Sequence, residues 1–121
     1  MGKNILVVDD SESIREVVSF TLENEGYNVK VGNDGTDALK HFNGDPIDLV
    51  ITDLHMPEMD GIDMIRAIRN IEEFKYTPIL MLTTESHMDK KVEAKKAGVT
   101  GWMVKPFEEE KLVKIVRKII R

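Results

Sequence analysis

The stretch Leu49-Val50-Ile51-Thr52-Asp53 lies near the middle of the chain and is a short apolar run that ends in a carboxylate. The same arrangement occurs near the N-terminus, where Ile5-Leu6-Val7-Val8 precedes two aspartates. The polar side chains that directly follow four such runs are Asp9 and Asp10, Asp53, Thr83, and Lys105. Short runs rich in Val, Ile and Leu that alternate with helix-like segments are typical of buried parallel strands.

Five apolar runs alternate with longer segments along the whole chain, and this alternation predicts a fold of the α/β class. The predicted strands are residues 4–8, 28–31, 49–52, 79–82 and 101–104. Every segment between them is long enough for a helical crossover, so neighbouring strands can run parallel with right-handed connections. We therefore predict a doubly wound five-stranded parallel sheet with helices on both faces. We expect one domain over residues 1–121 and no output domain.

Helical periodicity identifies the side chains that we expect to face the sheet. The predicted inward-facing residues are Ile14, Val17, Val18, Thr21 and Leu22 on the first helix, Ala38, Leu39 and Phe42 on the second, and Met88, Val92 and Ala94 on the fourth. Ser11 or Ser13 could cap the first helix, and Gly26 ends it. The turn at residues 43–46 is expected to end the second helix.

The composition excludes several classes of function. The 121 residues include 17 Lys and Arg and 22 Asp and Glu, which gives a net charge of −5. An acidic domain is a poor nucleic-acid binder, because phosphate contacts need clustered basic side chains. The absence of cysteine excludes disulfides and thiolate metal sites. No apolar run approaches the roughly 20 residues that span a bilayer, and we expect a cytoplasmic protein.

The polar residues that follow the strands predict a metal site. The carboxyl ends of parallel strands meet at one edge of an open sheet, so Asp9, Asp10, Asp53, Thr83 and Lys105 would gather there. Two carboxylates about 5 Å apart repel each other by about 3 kcal/mol at an effective dielectric of 20. Lys105 offsets one of the three negative charges, and a divalent cation would offset the remainder. Because the candidate ligands are oxygens, we predict Mg²⁺.

A metal ion, a hydroxyl and an ammonium group at one edge suit a phosphoryl group, because phosphoryl transfer depends mainly on positioning and charge neutralisation. Asp53 is the best candidate nucleophile, since it follows the most central strand and a carboxylate can form an aspartyl phosphate. Asp9 and Asp10 are adjacent and cannot aim identically, so we expect one to reach the metal directly and the other through water. The alternative, that each aspartate only caps a helix or turn, would require the same coincidence on several strands.

These residues resemble the receiver domain of two-component response regulators over essentially the whole chain. The matching motifs are Val7-Val8-Asp9-Asp10, then Asp53-Leu54-His55-Met56-Pro57-Glu58-Met59-Asp60-Gly61, then Thr83, then Lys105-Pro106-Phe107. The stretches at 82–86 and 97–107 look most like stand-alone chemotaxis regulators of the CheY type. The resemblance implies a flavodoxin-like sheet with the strand order 2-1-3-4-5.

The resemblance also implies a role for each acidic residue. Asp53 would accept a phosphoryl group from a kinase phosphohistidine. Asp10, Asp53 and the backbone carbonyl of His55 would hold Mg²⁺, with Asp9 acting through water. Lys105 would pair with Asp53 before the transfer and with the phosphoryl group after it.

Further roles follow from the same resemblance. Thr83 would move toward a phosphoryl oxygen, and Trp102 occupies the switch position, where the family usually has Tyr or Phe; the alternative for Trp102 is a plain partner-contact aromatic. The Lys105–Pro106 peptide would be cis. His55 and Glu85 occupy the places that tune the lifetime of the phosphoryl group.

The implied function is a phosphorylation-activated signalling switch in chemotaxis, which is not an enzyme and promotes only its own phosphorylation and dephosphorylation. Its partners would be a chemotaxis-type sensor histidine kinase, an output protein such as a flagellar motor component, and a phosphatase. We expect a monomer that binds neither nucleic acid nor membrane and that changes partner binding through the fourth helix, fifth strand and fifth helix.

Three alternatives remain open at the level of sequence. One is a receiver domain cut from a longer transcriptional regulator, and another is a binding module that keeps the fold without phosphorylation. The third is a phosphatase with an aspartate nucleophile. Such enzymes usually carry a second aspartate two residues after the first, and His55 occupies that place.

Overall fold

The computed structural model describes residues 2–120 and contains the predicted alternation of strands and helices. In chain order the elements are β1 Asn4–Val8, α1 Glu12–Glu23, β2 Asn28–Gly32, α2 Gly35–Leu39, β3 Leu49–Thr52, α3 Gly61–Arg69, a 3₁₀ turn Glu72–Phe74, β4 Ile79–Thr83, α4 Met88–Ala97, β5 Gly101–Val104 and α5 Glu109–Ile119. Strands β2 and β4 each extend one residue beyond the prediction.

The five strands form one sheet in the order β2-β1-β3-β4-β5, and every neighbouring pair is parallel. The predicted fold class and strand order are therefore confirmed. Parallel pairing brings the ends of the strands into register: Val8 pairs with Thr52, and Thr83 pairs with Val104. The residues that follow these ends consequently share one edge of the sheet.

Alternate side chains of the strands enter two separate cores. In β1, Leu6 and Val8 face the core that α2, α3 and α4 cover, while Ile5 and Val7 face the core that α1 and α5 cover. Because both faces of β1, β3 and β4 are buried, these strands are continuous apolar runs rather than alternating ones. The two-sided burial fixes the central strands and hence the edge that carries the polar residues.

Three of the predicted inward-facing residues are exposed, and these predictions are wrong. Val17 is 42% exposed, because α1 buries Val18, Thr21 and Leu22 and turns Val17 away from the sheet. Met88 and Val92 of α4 are also exposed. Helix α4 buries a single residue, Ala94, and packs mainly against α3.

The second helix is shorter than the prediction. It ends at Leu39, and hydrogen bonds between residues three apart then continue the chain as turns, such as the bond from the Phe42 amide to the Leu39 carbonyl over 3.1 Å. These turns still bury Phe42 in the core. At the start of α1 the cap is Ser11, whose hydroxyl accepts from the amide of Ile14 over 3.3 Å.

Candidate functional site

The three aspartates of the predicted metal site lie together at the carboxyl edge of the sheet. One carboxylate oxygen from each of Asp9, Asp10 and Asp53 lies within 4.8 Å of the others. Asp9 and Asp53 are buried, and Asp10 is exposed. Backbone hydrogen bonds beyond the strand ends fix the positions of Asp9 and Asp53. The Asp9 amide donates to the Gly32 carbonyl over 3.2 Å, and the Asp53 amide donates to the Val8 carbonyl over 3.0 Å.

Lys105 joins the two buried carboxylates. Its Nζ donates to Asp9 Oδ2 over 2.7 Å and to Asp53 Oδ2 over 3.1 Å. Its amide donates to the Thr83 carbonyl over 2.8 Å, and the Lys105–Pro106 peptide is cis. Burial lowers the pKa of the Lys105 ammonium group, but the hydrogen bonds and charges of Asp9 and Asp53 outweigh it and raise this pKa above 10.5. Lys105 is therefore a cation throughout the neutral range.

The Asp9 carboxylate is anchored through both of its oxygens. Oδ1 accepts from the Ser11 amide over 2.9 Å, and Oδ2 accepts from Lys105. Burial raises the pKa of the Asp9 carboxyl group above 3.8, although the bonds from Lys105 and Ser11 act in the opposite direction. A direct metal contact by Asp9 would use an oxygen that already accepts from one of these two donors. This anchoring favours the exposed Asp10 as the direct ligand of the adjacent pair.

The Asp53 carboxylate has two different sides. Its Oδ1 accepts from the amides of Leu54 and His55 over 2.6 and 3.4 Å, whereas its Oδ2 accepts from Lys105. The backbone amides therefore set the orientation of the carboxylate. Its second oxygen is directed toward the fixed cation.

The loop between β3 and α3 packs its backbone against Asp53. The amide of Gly61 donates to the Leu54 carbonyl over 2.8 Å, and a Cβ at Gly61 would lie 2.3 Å from the Asp53 carbonyl oxygen. Because real Cβ atoms do not approach that closely, a larger residue would displace the loop. Gly61 is the last residue of the Asp53 motif, and the sequence alone indicates no role for it. The structure makes it a positioning residue for Asp53.

Thr83 and Glu85 lie at the end of β4 and in the loop that follows it. Thr83 is fully buried, and its hydroxyl accepts from the Glu85 amide over 3.2 Å. The Glu85 carboxylate accepts from His55 Nε2 over 2.8 Å and from His87 Nδ1 over 2.6 Å. Glu85 thus links the loop after β3 to the start of α4. The sequence alone indicates no role for His87, because the loop conformation brings it to Glu85.

The Glu85 carboxylate stays ionised far below neutral pH. The amide of His87 is the main cause, followed by the ring of His87 and then the ring of His55, and together they lower the pKa of Glu85 from 4.5 to about 2.

The backbone of Glu85 also contacts Trp102, the predicted switch residue. Trp102 Nε1 donates to the Glu85 carbonyl over 3.2 Å. Lys91 Nζ lies 5.9 Å from the centre of the indole ring.

The donor set fits a hard divalent cation. Three carboxylates approach one another, and within residues 2–120 Lys105 is the side-chain cation that pairs with them, so negative charge exceeds positive charge within these pairs. Carboxylate oxygens are the ligands that Mg²⁺ prefers, and the exposed Asp10 leaves one side of the site open to water. The aspartate cluster therefore suits Mg²⁺ better than a softer metal.

Comparison with known protein families identifies the chain. The model of the response regulator receiver domain matches residues 5–117. The chain belongs to this family. This receiver domain is 40% identical over 116 residues to the chemotaxis protein CheY of Pseudomonas aeruginosa, a match that covers 95% of the chain and 94% of that protein.

Two further relatives come from Vibrio cholerae. The receiver domain is 41% identical over 126 aligned positions to the chemotaxis protein CheY-3, with 98% of the chain and 97% of that protein covered. The solved structure of the chemotaxis protein CheY4 superposes with a TM-score of 0.95 at 44% identity, covering 99% of the chain and all of that protein. The alternative of an aspartate-nucleophile phosphatase is not favoured by these matches.

Membership decides the general function. A receiver domain is a phosphorylation-activated signalling switch that works with sensor histidine kinases, and it is not an enzyme in the ordinary sense. The family typically uses Mg²⁺ at an acidic pocket, and Asp9, Asp10 and Asp53 form such a cluster here. Within residues 2–120, no helix is long and apolar enough to cross a bilayer.

Proposed function

We propose that this receiver domain accepts a phosphoryl group on Asp53 from a histidine kinase and signals in chemotaxis. The observation that carries the proposal is the position of Lys105 Nζ, 3.1 Å from Asp53 Oδ2 at the edge where Asp9 and Asp10 also meet. The similarity to chemotaxis proteins over nearly their whole length supports the choice of pathway. The single-domain organisation expected from the sequence remains part of this proposal.

The transfer itself is a displacement at phosphorus. Asp53 Oδ2 attacks the phosphoryl group, the bond from phosphorus to the histidine nitrogen breaks, and the electron pair returns to the imidazole ring of the kinase. The amides of Leu54 and His55 hold Oδ1 in place during the attack, so the carboxylate need not reorient. Lys105 stays charged and pairs with the incoming phosphoryl oxygens. Hydrolysis by water later resets the domain.

Asp10, Asp53 and the backbone carbonyl of His55 would hold Mg²⁺, with Asp9 acting through a water molecule. Bound Mg²⁺ supplies positive charge that offsets the carboxylates and the phosphoryl oxygens. The role of Asp9 is supported by its two existing hydrogen bonds, which keep its oxygens engaged.

The switch step links Thr83 to Trp102 through Glu85. Thr83 moves toward a phosphoryl oxygen and gives up its contact with the Glu85 amide. The loop that carries Glu85 then shifts, and Trp102 shifts with it because its indole donates to the Glu85 carbonyl. The face formed by α4, β5 and α5 changes as a result. A partner moves the equilibrium only through its different affinities for the two states.

His55 and Glu85 are proposed to tune the lifetime of the phosphoryl group, and their 2.8 Å contact supports a joint role. The proposed partners are a chemotaxis-type sensor kinase, an output protein such as a flagellar motor component, and a phosphatase. A cytoplasmic monomer without nucleic-acid or membrane binding remains a prediction from the sequence.

Trp102 provides the test, because it is the only tryptophan of the chain. With Mg²⁺ and acetyl phosphate or beryllofluoride, we expect its fluorescence to change in the wild type and to stay constant in Asp53→Asn. In Thr83→Ala we expect the adduct to form without the full fluorescence change. A wild type with neither a Mg²⁺-dependent adduct nor a fluorescence change would overturn the proposal.

A further inference from the structure

The imidazole ring of His87 reaches back to Glu85 from the start of α4. Its Nδ1 lies 2.6 Å from Glu85 Oε2, and the backbone amide of His87 donates to the same oxygen over 3.0 Å. His87 occupies the N-cap position of α4, and its ring contacts this carboxylate rather than an amide of the helix. One residue therefore holds one carboxylate oxygen through two contacts.

The other oxygen of Glu85 makes a contact across two loops. Oε1 lies 2.8 Å from His55 Nε2, and His55 belongs to the loop after β3, the neighbour of β4 in the sheet. His55 follows Asp53 by two residues, and Glu85 follows Thr83 by two residues. In the proposed reaction Asp53 and Thr83 both contact the phosphoryl group. The contact between His55 and Glu85 therefore joins the loops that border that group, and we name it the His55–Glu85 bridge.

The side chains of this group differ in their exposure. The Glu85 side chain is 11% exposed, whereas the side chain of His87 is 81% exposed. The backbone of Glu85 has contacts of its own, since its amide donates to the Thr83 hydroxyl and its carbonyl accepts from Trp102. Removal of the His87 ring therefore takes away a contact of the carboxylate without opening the core and without removing a backbone contact of Glu85.

We propose that His87 is a positioning residue for the proposed phosphoryl reaction. Its ring holds the Glu85 carboxylate in place for His55, and the closed His55–Glu85 bridge limits the access of water to phosphorylated Asp53. This inference rests on the proposed function and extends it, because a role in the lifetime of the phosphoryl group is there given only to His55 and Glu85. His87 acts through Glu85 and does not itself contact the reacting atoms.

The step that the bridge slows is the hydrolysis of the aspartyl phosphate. The oxygen of a water molecule attacks phosphorus, the bond from phosphorus to Asp53 Oδ2 breaks, and the electron pair returns to the carboxylate. Inorganic phosphate leaves, and a proton of the attacking water passes to the solvent. A side chain that keeps water away from phosphorus lengthens the lifetime, so loss of the His87 contact should shorten it.

The chemistry of the contact supplies a conservative variant. An ionised carboxylate only accepts hydrogen bonds, so Nδ1 of His87 is the donor. The side-chain amide nitrogen of Asn is also two bonds from Cβ, as Nδ1 of His is, and it carries hydrogen. His87→Asn therefore keeps a donor for Glu85 Oε2, and His87→Ala removes it.

The lifetime of the phosphoryl group tests the inference. Each protein is phosphorylated with acetyl phosphate and Mg²⁺ and desalted into Mg²⁺ buffer, and the loss of the added mass is followed by intact-protein mass spectrometry. We expect His87→Ala to shorten the lifetime about twofold to fivefold, as loss of one exposed charge-assisted contact does. His87→Asn should stay close to the wild type. His41→Ala removes the 3.4 Å contact to Asp45 beyond α2 and is the matched control without effect.

A double-mutant cycle separates positioning from mere support of α4. If His87 acts through Glu85, His87→Ala should change the lifetime no further in a Glu85→Ala background. The same shortening in both backgrounds would assign His87 a purely structural role and overturn the inference, as would a His87→Asn variant that behaves like His87→Ala.

The wild-type protein separates this inference from the proposed function. A wild type that forms the adduct and loses it as fast as His87→Ala does would overturn the inference alone. A wild type that forms no adduct would overturn the proposed function and this inference with it.

Discussion

Lys105 Nζ lies 3.1 Å from Asp53 Oδ2, and the same atom donates to Asp9 over 2.7 Å. The lysine side chain is 12% exposed, so this ion pair is largely shielded from water. Lys105 therefore compensates two buried carboxylates. It also keeps the acceptor oxygen of Asp53 beside a positive charge before any phosphoryl group arrives.

Replacement of Lys105 should destabilise the fold. In Lys105→Met the two buried carboxylates lose their common cation, and removal of one partner from a buried pair typically costs about 3 kcal/mol or more. Urea unfolding at pH 7 measures the change. Asp9→Asn in the Lys105→Met background should recover part of the loss, whereas Lys111→Met on the exposed side of α5 should change the free energy of unfolding little. Equal stability of Lys105→Met and wild type would contradict the account.

Mg²⁺ should stabilise the wild type through the aspartate cluster. At a concentration about ten times its dissociation constant, a ligand that binds only the folded state adds about 1.4 kcal/mol. In Asp10→Asn the repulsion between carboxylates falls, so we expect a higher Tm than wild type in a chelator and a smaller rise on addition of Mg²⁺. Asp63→Asn, on the exposed face of α3, is the control and should respond like the wild type. The same Mg²⁺ response in both variants would remove Asp10 from the site.

The N-cap of α2 predicts a dependence of stability on pH. Asp34 Oδ1 accepts from the Asp37 amide over 2.9 Å and from the Thr36 hydroxyl over 2.8 Å, and these bonds lower the pKa of Asp34 below 3.8. The charged form is favoured in the folded state, so its contribution is present above pH 3.8 and is lost as the pH falls toward the lowered value. Asp34→Asn keeps a cap acceptor that does not titrate.

Thermal unfolding of both proteins at several pH values measures this effect. The difference in Tm between wild type and Asp34→Asn should favour the wild type near pH 7 and shrink as the pH drops below 4. A difference that stays constant over this range would show that the cap bonds do not favour the charged carboxylate.

Gly61 should not tolerate a side chain. The Cβ of Gly61→Ala would lie 2.3 Å from the Asp53 carbonyl oxygen, so the loop must move, at a cost of about 1–3 kcal/mol. Because the loop follows the acceptor, phosphorylation by acetyl phosphate should also slow. Gly101→Ala is the matched control, since its Cβ would meet only the end of the Leu80 side chain at 3.2 Å. Equal losses in the two variants would argue against a special role for Gly61.

The sequence predicts the strands and the shared edge of the sheet because both follow from short-range patterns. Apolar runs on both faces identify the central strands, and parallel pairing then places Asp9, Asp53 and Lys105 at one edge whatever the details of the loops. Helical spacing did not predict that Val17 and Met88 are exposed. An apolar residue at helical spacing does not reveal whether a neighbouring element covers it.

The contacts of Glu85 could not be predicted for a different reason. They depend on the conformation of the loop after β4, which turns His87 back onto the carboxylate two residues earlier. No periodicity encodes such a turn. The need for glycine at position 61 likewise follows only from the folded structure, in which the Asp53 carbonyl oxygen occupies the space that a Cβ would need.

Intact-protein mass spectrometry after incubation with acetyl phosphate tests the central claim most directly. The wild type and Asp63→Asn should each gain the mass of one phosphoryl group in Mg²⁺ and lose this gain in a chelator, while Asp53→Asn should gain none although circular dichroism shows it folded. A full Mg²⁺-dependent gain in Asp53→Asn, or no gain in the wild type, would contradict the assignment of Asp53 as the phosphoryl acceptor.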